Sequence, residues 1–137
     1  MWICPKCQRQ FKKTKQPHTC KKVTITEHFK NKKKAKKIFD YLVDRIDNNI
    51  GKCKVVSIPC CVHLCSNYDF LAVFPKKEGL EIRFLLNRKL NSPKLKIGVK
   101  MSSKVFKNVF YFNSEKEIDN EFIDWVRESY NLKGSNG

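Results

Sequence analysis

The stretch from Trp2 to Cys20, WICPKCQRQFKKTKQPHTC, constrains this chain more than any other. Cys4 and Cys7 form C-x-x-C, His18 and Cys20 form H-x-C, and ten residues separate the two pairs. Two thiolates flanking a turn approach one ion from the same side, and a second short-spaced pair closes a tetrahedron around it. Three sulfurs and one imidazole suit zinc, whereas iron is better matched by four thiolates. Four protein donors leave no open position, so the expected site is structural. A segment this short cannot bury a core of its own, so the metal would supply its stability, roughly 10–16 kcal/mol at neutral pH for small zinc units. Trp2 and Phe11 are the large rings nearest the ligands and are expected to pack over them. Residues 1–22 therefore read as a zinc knuckle and residues 23–134 as a separate α+β unit. The bland alternative is free cysteines in a flexible basic arm. Disulfides are disfavoured, because nothing points to an oxidising compartment.

The 137 residues leave room for one domain beside the knuckle. Met1-Trp2-Ile3 runs straight into a ligand, so no leader is expected, and no apolar run approaches the ~18 residues of a membrane helix. A soluble, cytoplasmic protein is expected, its seven cysteines reduced or metal-bound. Net charge is +16 and unevenly placed: residues 1–37 carry thirteen Lys or Arg against one acid, Glu27. Such a segment attracts polyanions through counterion release. The candidate phosphate contacts are Lys12, Lys13, Lys15, Lys21, Lys22, Lys32, Lys33 and Lys34, for non-specific, salt-sensitive binding of nucleic acid. Arginine, the usual reader of bases, is sparse at five residues. The same lysines also read as an ordinary solvated surface.

Beyond the knuckle, Thr24-x-x-Glu27 is a capping box opening a short helix. A longer helix is expected over 31–48, where Ile38, Leu42 and Ile46 recur at four-residue spacing with Phe39 and Tyr41, and Asp40, Asp44 and Asp47 lie outside the stripe. Gly51 ends it. From Lys52 the period becomes two. Strands are expected over 52–59, 60–65, 68–75, 80–86, 94–101 and 105–112, with the 68–75 strand central and covered on both faces. Pro75-Lys-Lys-Glu-Gly79 has hairpin-loop chemistry. Ser114-x-x-Glu117 is expected to open a final helix with the stripe Ile118, Phe122, Trp125, Val126 and Tyr130. The fold expected is α+β: a mostly antiparallel meander of five or six strands, with helices on one face and Lys54, Arg83, Lys96 and Lys100 on the other.

A second cysteine group is less easily interpreted. Cys61, His63 and Cys65 share one face of a strand, Cys60 points the other way, and Cys53 lies a strand earlier. Same-face neighbours lie roughly 6.5–7 Å apart, awkward for three ligands on one ion without a bend. A nucleophilic cysteine with His63 as base lacks any evident third group to orient it. The simplest reading is buried cysteines acting as small hydrophobes. There is no glycine-rich phosphate loop, no H-E-x-x-H and no G-x-S-x-G, so no catalytic residue is assigned.

Trp2-x-Cys4-Pro5-x-Cys7-x-Arg9-x-Phe11, Gln16-x-His18-x-Cys20, Glu27-His28-Phe29 and, near the C-terminus, Ile118-Asp119-x-Glu121-Phe122-x-x-Trp125-Val126 with Tyr130 resemble the family called domain of unknown function 5655, in a version with an N-terminal zinc knuckle. The resemblance implies zinc ligation and an α+β domain. It implies no activity, and a nucleic-acid connection only by analogy with related domains found near predicted nucleases. One departure is Gln8, where such knuckles usually carry glycine. Three functions stand open: a non-catalytic module contacting phosphate backbones, a protein-interaction domain stapled by zinc, and a small cysteine-dependent enzyme.

Overall fold

A single apolar stripe on one helix anchors the architecture. In the computed structural model, which describes residues 2–8, 10–11, 13–18, 23–66, 69–93 and 95–135, helix α2 spans Lys33–Asn49. Its residues Ile38, Phe39, Leu42 and Ile46 are buried while Asp40, Asp44 and Asp47 face solvent. Helix α1 (Ile25–His28) precedes it. Thr24 caps α1 by accepting from the Glu27 amide at 3.1 Å, and its hydroxyl donates to Glu27 Oε1 at 3.2 Å. Phe29 follows and packs at a tilt against Phe39, centroids 5.1 Å apart.

Two strands at the N-terminus, β1 (Trp2–Ile3) and β2 (Gln10–Phe11), pair antiparallel as a small separate sheet. The main sheet has six strands: β3 (Lys54–Ile58), β4 (Cys61–Cys65), β5 (Asp69–Pro75), β6 (Leu80–Leu86), β7 (Leu95–Ser102) and β8 (Val105–Phe112). Helix α3 (Asn120–Ser135) closes the chain. All pairings are antiparallel, and one core unites α2 and α3 with Val62, Leu64, Leu71, Val73, Leu80, Ile82, Phe84, Leu86, Phe110 and Phe112. The α+β class expected from the pattern is the one observed.

The order is not a simple meander. It runs β3-β4-β5-β6-β8-β7, with β8 inserted between β6 and β7. The cause lies in the irregular connection after β6. Leu90 in it is buried, and its amide donates to Asn108 Oδ1 at 3.0 Å while Asn108 Nδ2 donates to the Arg88 carbonyl at 3.3 Å. Asn108 is fully buried on the apolar face of β8, so this loop satisfies a polar group that would otherwise cost ~1–3 kcal/mol. Carrying the loop past β8 leaves β7 at the edge. Ile97, Val99 and Met101 there are exposed, at 48, 37 and 57%.

Two further expectations are corrected. Ser114 does not open the last helix. It caps a 3₁₀ turn at Glu115–Glu117, and Asp119 starts α3 by accepting from the Phe122 amide at 2.9 Å. Ile118 between them is buried, and Arg45 grips the junction through the Ile118 carbonyl at 3.1 Å and Asn120 Oδ1 at 2.7 Å. Strand β5 is central but not covered alike on both faces. Leu71 and Val73 are buried on one face and Phe70 is buried beside the register shift, whereas Ala72 and Phe74 on the other face are half-buried, with the Arg83 guanidinium 4.2 Å from the Phe74 ring centroid. The β5–β6 turn forms as expected, and a Cβ on Gly79 would overlap the Phe112 carbonyl oxygen, so the backbone approach itself requires glycine.

The outer face of the sheet is less openly basic than its composition suggests. Glu81, 5% exposed, takes Arg83 at 2.6 Å and Lys96 at 3.4 Å. Burial alone would raise its pKa. The hydrogen bond and charge of Arg83, then Lys96 and Lys76, overcome that and hold it below the ordinary value of 4.5. A depressed carboxyl stabilises the fold above its unfolded pKa and ceases to do so as pH falls through the folded one. Glu81→Gln is therefore expected to cost about 1–3 kcal/mol in urea unfolding at neutral pH. That difference should shrink below pH 4.5. A penalty independent of pH would show that the charge is not what matters.

Candidate metal centres

The N-terminal hairpin brings three of its expected ligands together. Trp2 pairs with Phe11 and Ile3 with Gln10, and the turn between carries Cys4 and Cys7. The Gln8 amide donates to the Cys4 carbonyl at 2.8 Å, which closes the loop and turns both sulfurs inward; each cysteine is 4% exposed. Gln8 has φ 65°, the left-handed region where a non-glycine residue costs about 1 kcal/mol more than glycine. The Cys4 and Cys7 sulfurs and a His18 ring nitrogen lie within 4.8 Å of one another.

His18 is oriented for ligation. Its Nδ1–H donates to the Gln16 carbonyl at 2.6 Å, which leaves Nε2 as the lone-pair nitrogen, 3.3 Å from Cys7 Sγ. Tetrahedral bonds of the usual zinc lengths place a sulfur and a nitrogen about 3.5 Å apart, so the donor set fits such an ion. The His18 ring lies 4.3 Å from Phe11 and 5.9 Å from Trp2, centroid to centroid, so both rings cover the site as the sequence suggests. Cys20, the fourth expected ligand, lies outside the described residues, as do Lys12, Lys21 and Lys22.

Of the remaining candidate lysines, Lys13, Lys15, Lys33 and Lys34 are exposed. Lys32 is half-buried and donates to the Pro75 carbonyl at 3.3 Å. Among the described cations of residues 1–37, Lys36 forms a carboxylate pair, with Asp40 at 2.7 Å. His28 Nε2–H donates to the Ile58 carbonyl at 2.7 Å and docks α1 on the end of β3.

A second donor group sits at that same end of β3, in the β3–β4 turn. Ile58 pairs with Cys61, so Pro59 and Cys60 form the turn. Cys60 is thereby folded back over its neighbour, with the two sulfurs 3.1 Å apart, and Cys61 Sγ lies 3.1 Å from His63 Nε2. His63 Nδ1 pairs with Asp69 Oδ2 across the β4–β5 hairpin. The grouping along the strand face is thus Cys60, Cys61 and His63, within 4.8 Å, and not Cys61, His63 and Cys65. Cys65 instead donates to Asp69 Oδ1 at 2.7 Å, where the β4–β5 register shifts. The orienting carboxylate that sequence reasoning missed is Asp69. Its signal was only a strand pairing, which no local spacing encodes.

These groups also form a Cys–His–Asp array around a buried thiol. Cys61 is 2% exposed, and burial, then Cys60, pushes its thiol up to about 12. An activated thiol has its pKa lowered, not raised. The adjacent cleft of about 200 Å³ is lined by His63, Asp69, Ala72 and Arg83 and does not reach the sulfur. Cys53 is likewise raised, to about 11, by burial and Asp47.

The geometry defines a small α+β protein with two Cys/His groups able to hold a metal ion. No described helix is long and apolar enough to cross a membrane. The chain belongs to the family described as Domain of unknown function (DUF5655), whose profile matches residues 25–133, a stretch that begins after the Cys/His hairpin. No curated protein and no solved structure matches the chain.

Proposed function

We propose that residues 1–22 form a zinc knuckle closed by Cys4, Cys7, His18 and Cys20, attached to the 23–134 body, and that the protein is a non-catalytic module contacting nucleic-acid phosphates. The segregation of charge carries this reading: thirteen cations against one acid in residues 1–37. Lys33 and Lys34 support it further. They are exposed in the first turn of α2, where no acidic side chain offsets them and a helix dipole disfavours cations. Zinc would give the knuckle lysines a fixed geometry. Arginine plays little part, so contact would be to the backbone and not to base edges.

Fluorescence anisotropy with a labelled random-sequence duplex tests the reading. Eight phosphate contacts predict a log–log salt slope of about −7, and an affinity loss of about 10³–10⁵ between 50 and 200 mM salt. The Lys33→Glu/Lys34→Glu variant, exposed and harmless to the core, should bind more weakly with a shallower slope. Absence of binding at low salt, or binding indifferent to salt, would eliminate phosphate contact and favour a protein-interaction role.

A further inference from the structure

We propose that Cys60, Cys61 and His63 form a second metal site, for a thiophilic divalent cation of the zinc class, with Asp69 as the carboxylate that aims His63 and one coordination position left to an exchangeable ligand. Four observations carry this. The donors are two sulfurs and one imidazole, a set that zinc takes in sites that keep a position open. Their separations, 3.1 Å between sulfurs and 3.1 Å from Cys61 Sγ to His63 Nε2, fall within a few tenths of an ångström to 0.7 Å of the edges of a zinc tetrahedron, about 3.8 and 3.5 Å. Modest opening of the turn rotamer at Cys60, which is exposed, supplies the difference.

The third observation is the tautomer. Asp69 occupies His63 Nδ1, so Nε2 presents its lone pair toward the sulfurs. A carboxylate behind a ligating histidine is the usual outer-sphere arrangement at metal sites. Cysteines serving only as small hydrophobes need neither the imidazole nor the carboxylate. The fourth is access. Cys60 is exposed while Cys61 is buried, so an ion reaches the donors from the turn side. Binding would release the two thiol protons, since a coordinating thiol is deprotonated by the cation. Among the described residues no fourth Cys, His, Asp or Glu joins the group. Cys20 lies three residues before Val23, whose amide bonds the Ser57 carbonyl at 3.4 Å, so it must be tested separately.

The test is titration of the reduced, metal-free full chain with Co²⁺, following thiolate-to-cobalt charge transfer and tetrahedral d–d absorption. Two ions per chain are expected. Cys60→Ser, at an exposed turn position, should leave one, and Cys4→Ser/Cys7→Ser should also leave one, which separates this site from the knuckle. Asp69→Asn keeps all three donors and should weaken the Cys60–Cys61–His63 site about 10–100-fold in a chelator competition while sparing the knuckle ion. A single wild-type ion that is lost in Cys4→Ser/Cys7→Ser, a second ion that survives Cys60→Ser and His63→Gln, or a Cys60–Cys61 disulfide under reducing conditions would overturn the proposal. Loss of the Cys60–Cys61–His63 ion in Cys20→Ser would overturn the open position.

Discussion

Removing metal with a chelator is expected to collapse the N-terminal hairpin while the six-stranded sheet keeps its fold. β1 and β2 contribute two residues each, and a two-stranded hairpin of that size is marginal in water. Its apolar cover is two rings, Trp2 and Phe11, set against His18. Against this stands an apparent binding free energy of roughly 10–16 kcal/mol for zinc in comparable units. Hydrogen exchange at the Gln8 amide, bonded to the Cys4 carbonyl, reports the hairpin directly. Amides of β6 and β8 report the body. Protection at Gln8 should vanish on chelation and in Cys4→Ser/Cys7→Ser, and persist in the sheet. Undiminished protection at Gln8 without metal would mean that the hairpin stands by packing alone.

The largest single-residue loss of stability is expected from Phe122→Ala, about 3–5 kcal/mol. Phe122 is fully buried, with centroids 5.9 Å from Phe84, 5.1 Å from Phe110 and 4.8 Å from Phe112, all near edge-to-face. Together with Trp125, whose ring lies 5.7 Å from Phe110, it plugs α3 into the aromatic layer of β6 and β8. Alanine leaves a cavity whose walls are strand residues held by ladder hydrogen bonds, so collapse into it is limited. Equilibrium urea unfolding measures the loss. Met101→Ala on the exposed edge strand is the control, and its effect should stay within about 0.5 kcal/mol. Comparable losses in both would mean that β7 is more deeply involved in the core than its exposure indicates.

Much of this architecture was legible because it depends on short-range spacing. The four-residue recurrence of Ile38, Leu42 and Ile46 can bury only as a helix. The alternation of Leu80, Ile82, Phe84 and Leu86 can bury one face only as a strand. Thr24 and Glu27 lie within reach of each other at any helix start. Cys4 and Cys7 stand on one short turn, close enough to meet His18 around one ion. The charge of the first 37 residues is likewise a property of the chain itself.

Other features were settled only when distant segments met. Leu95, Ile97, Val99 and Met101 alternate as cleanly as a core strand, yet three of them are exposed because Asn108 and Leu90 route the preceding loop past β8. Ser114 offers as good a cap as Asp119, but burial of Ile118 under Arg45 decides between them. Cys60 joins Cys61 and His63 because of a two-residue turn, and Asp69 joins them because of a shifted register across another hairpin. Local spacing determined which segments coil, which extend and which donors stand near the amino end. Tertiary contact decided strand order, the exposed edge and the membership of the second donor group, because each rests on residues far apart in the chain whose energies are realised only on meeting.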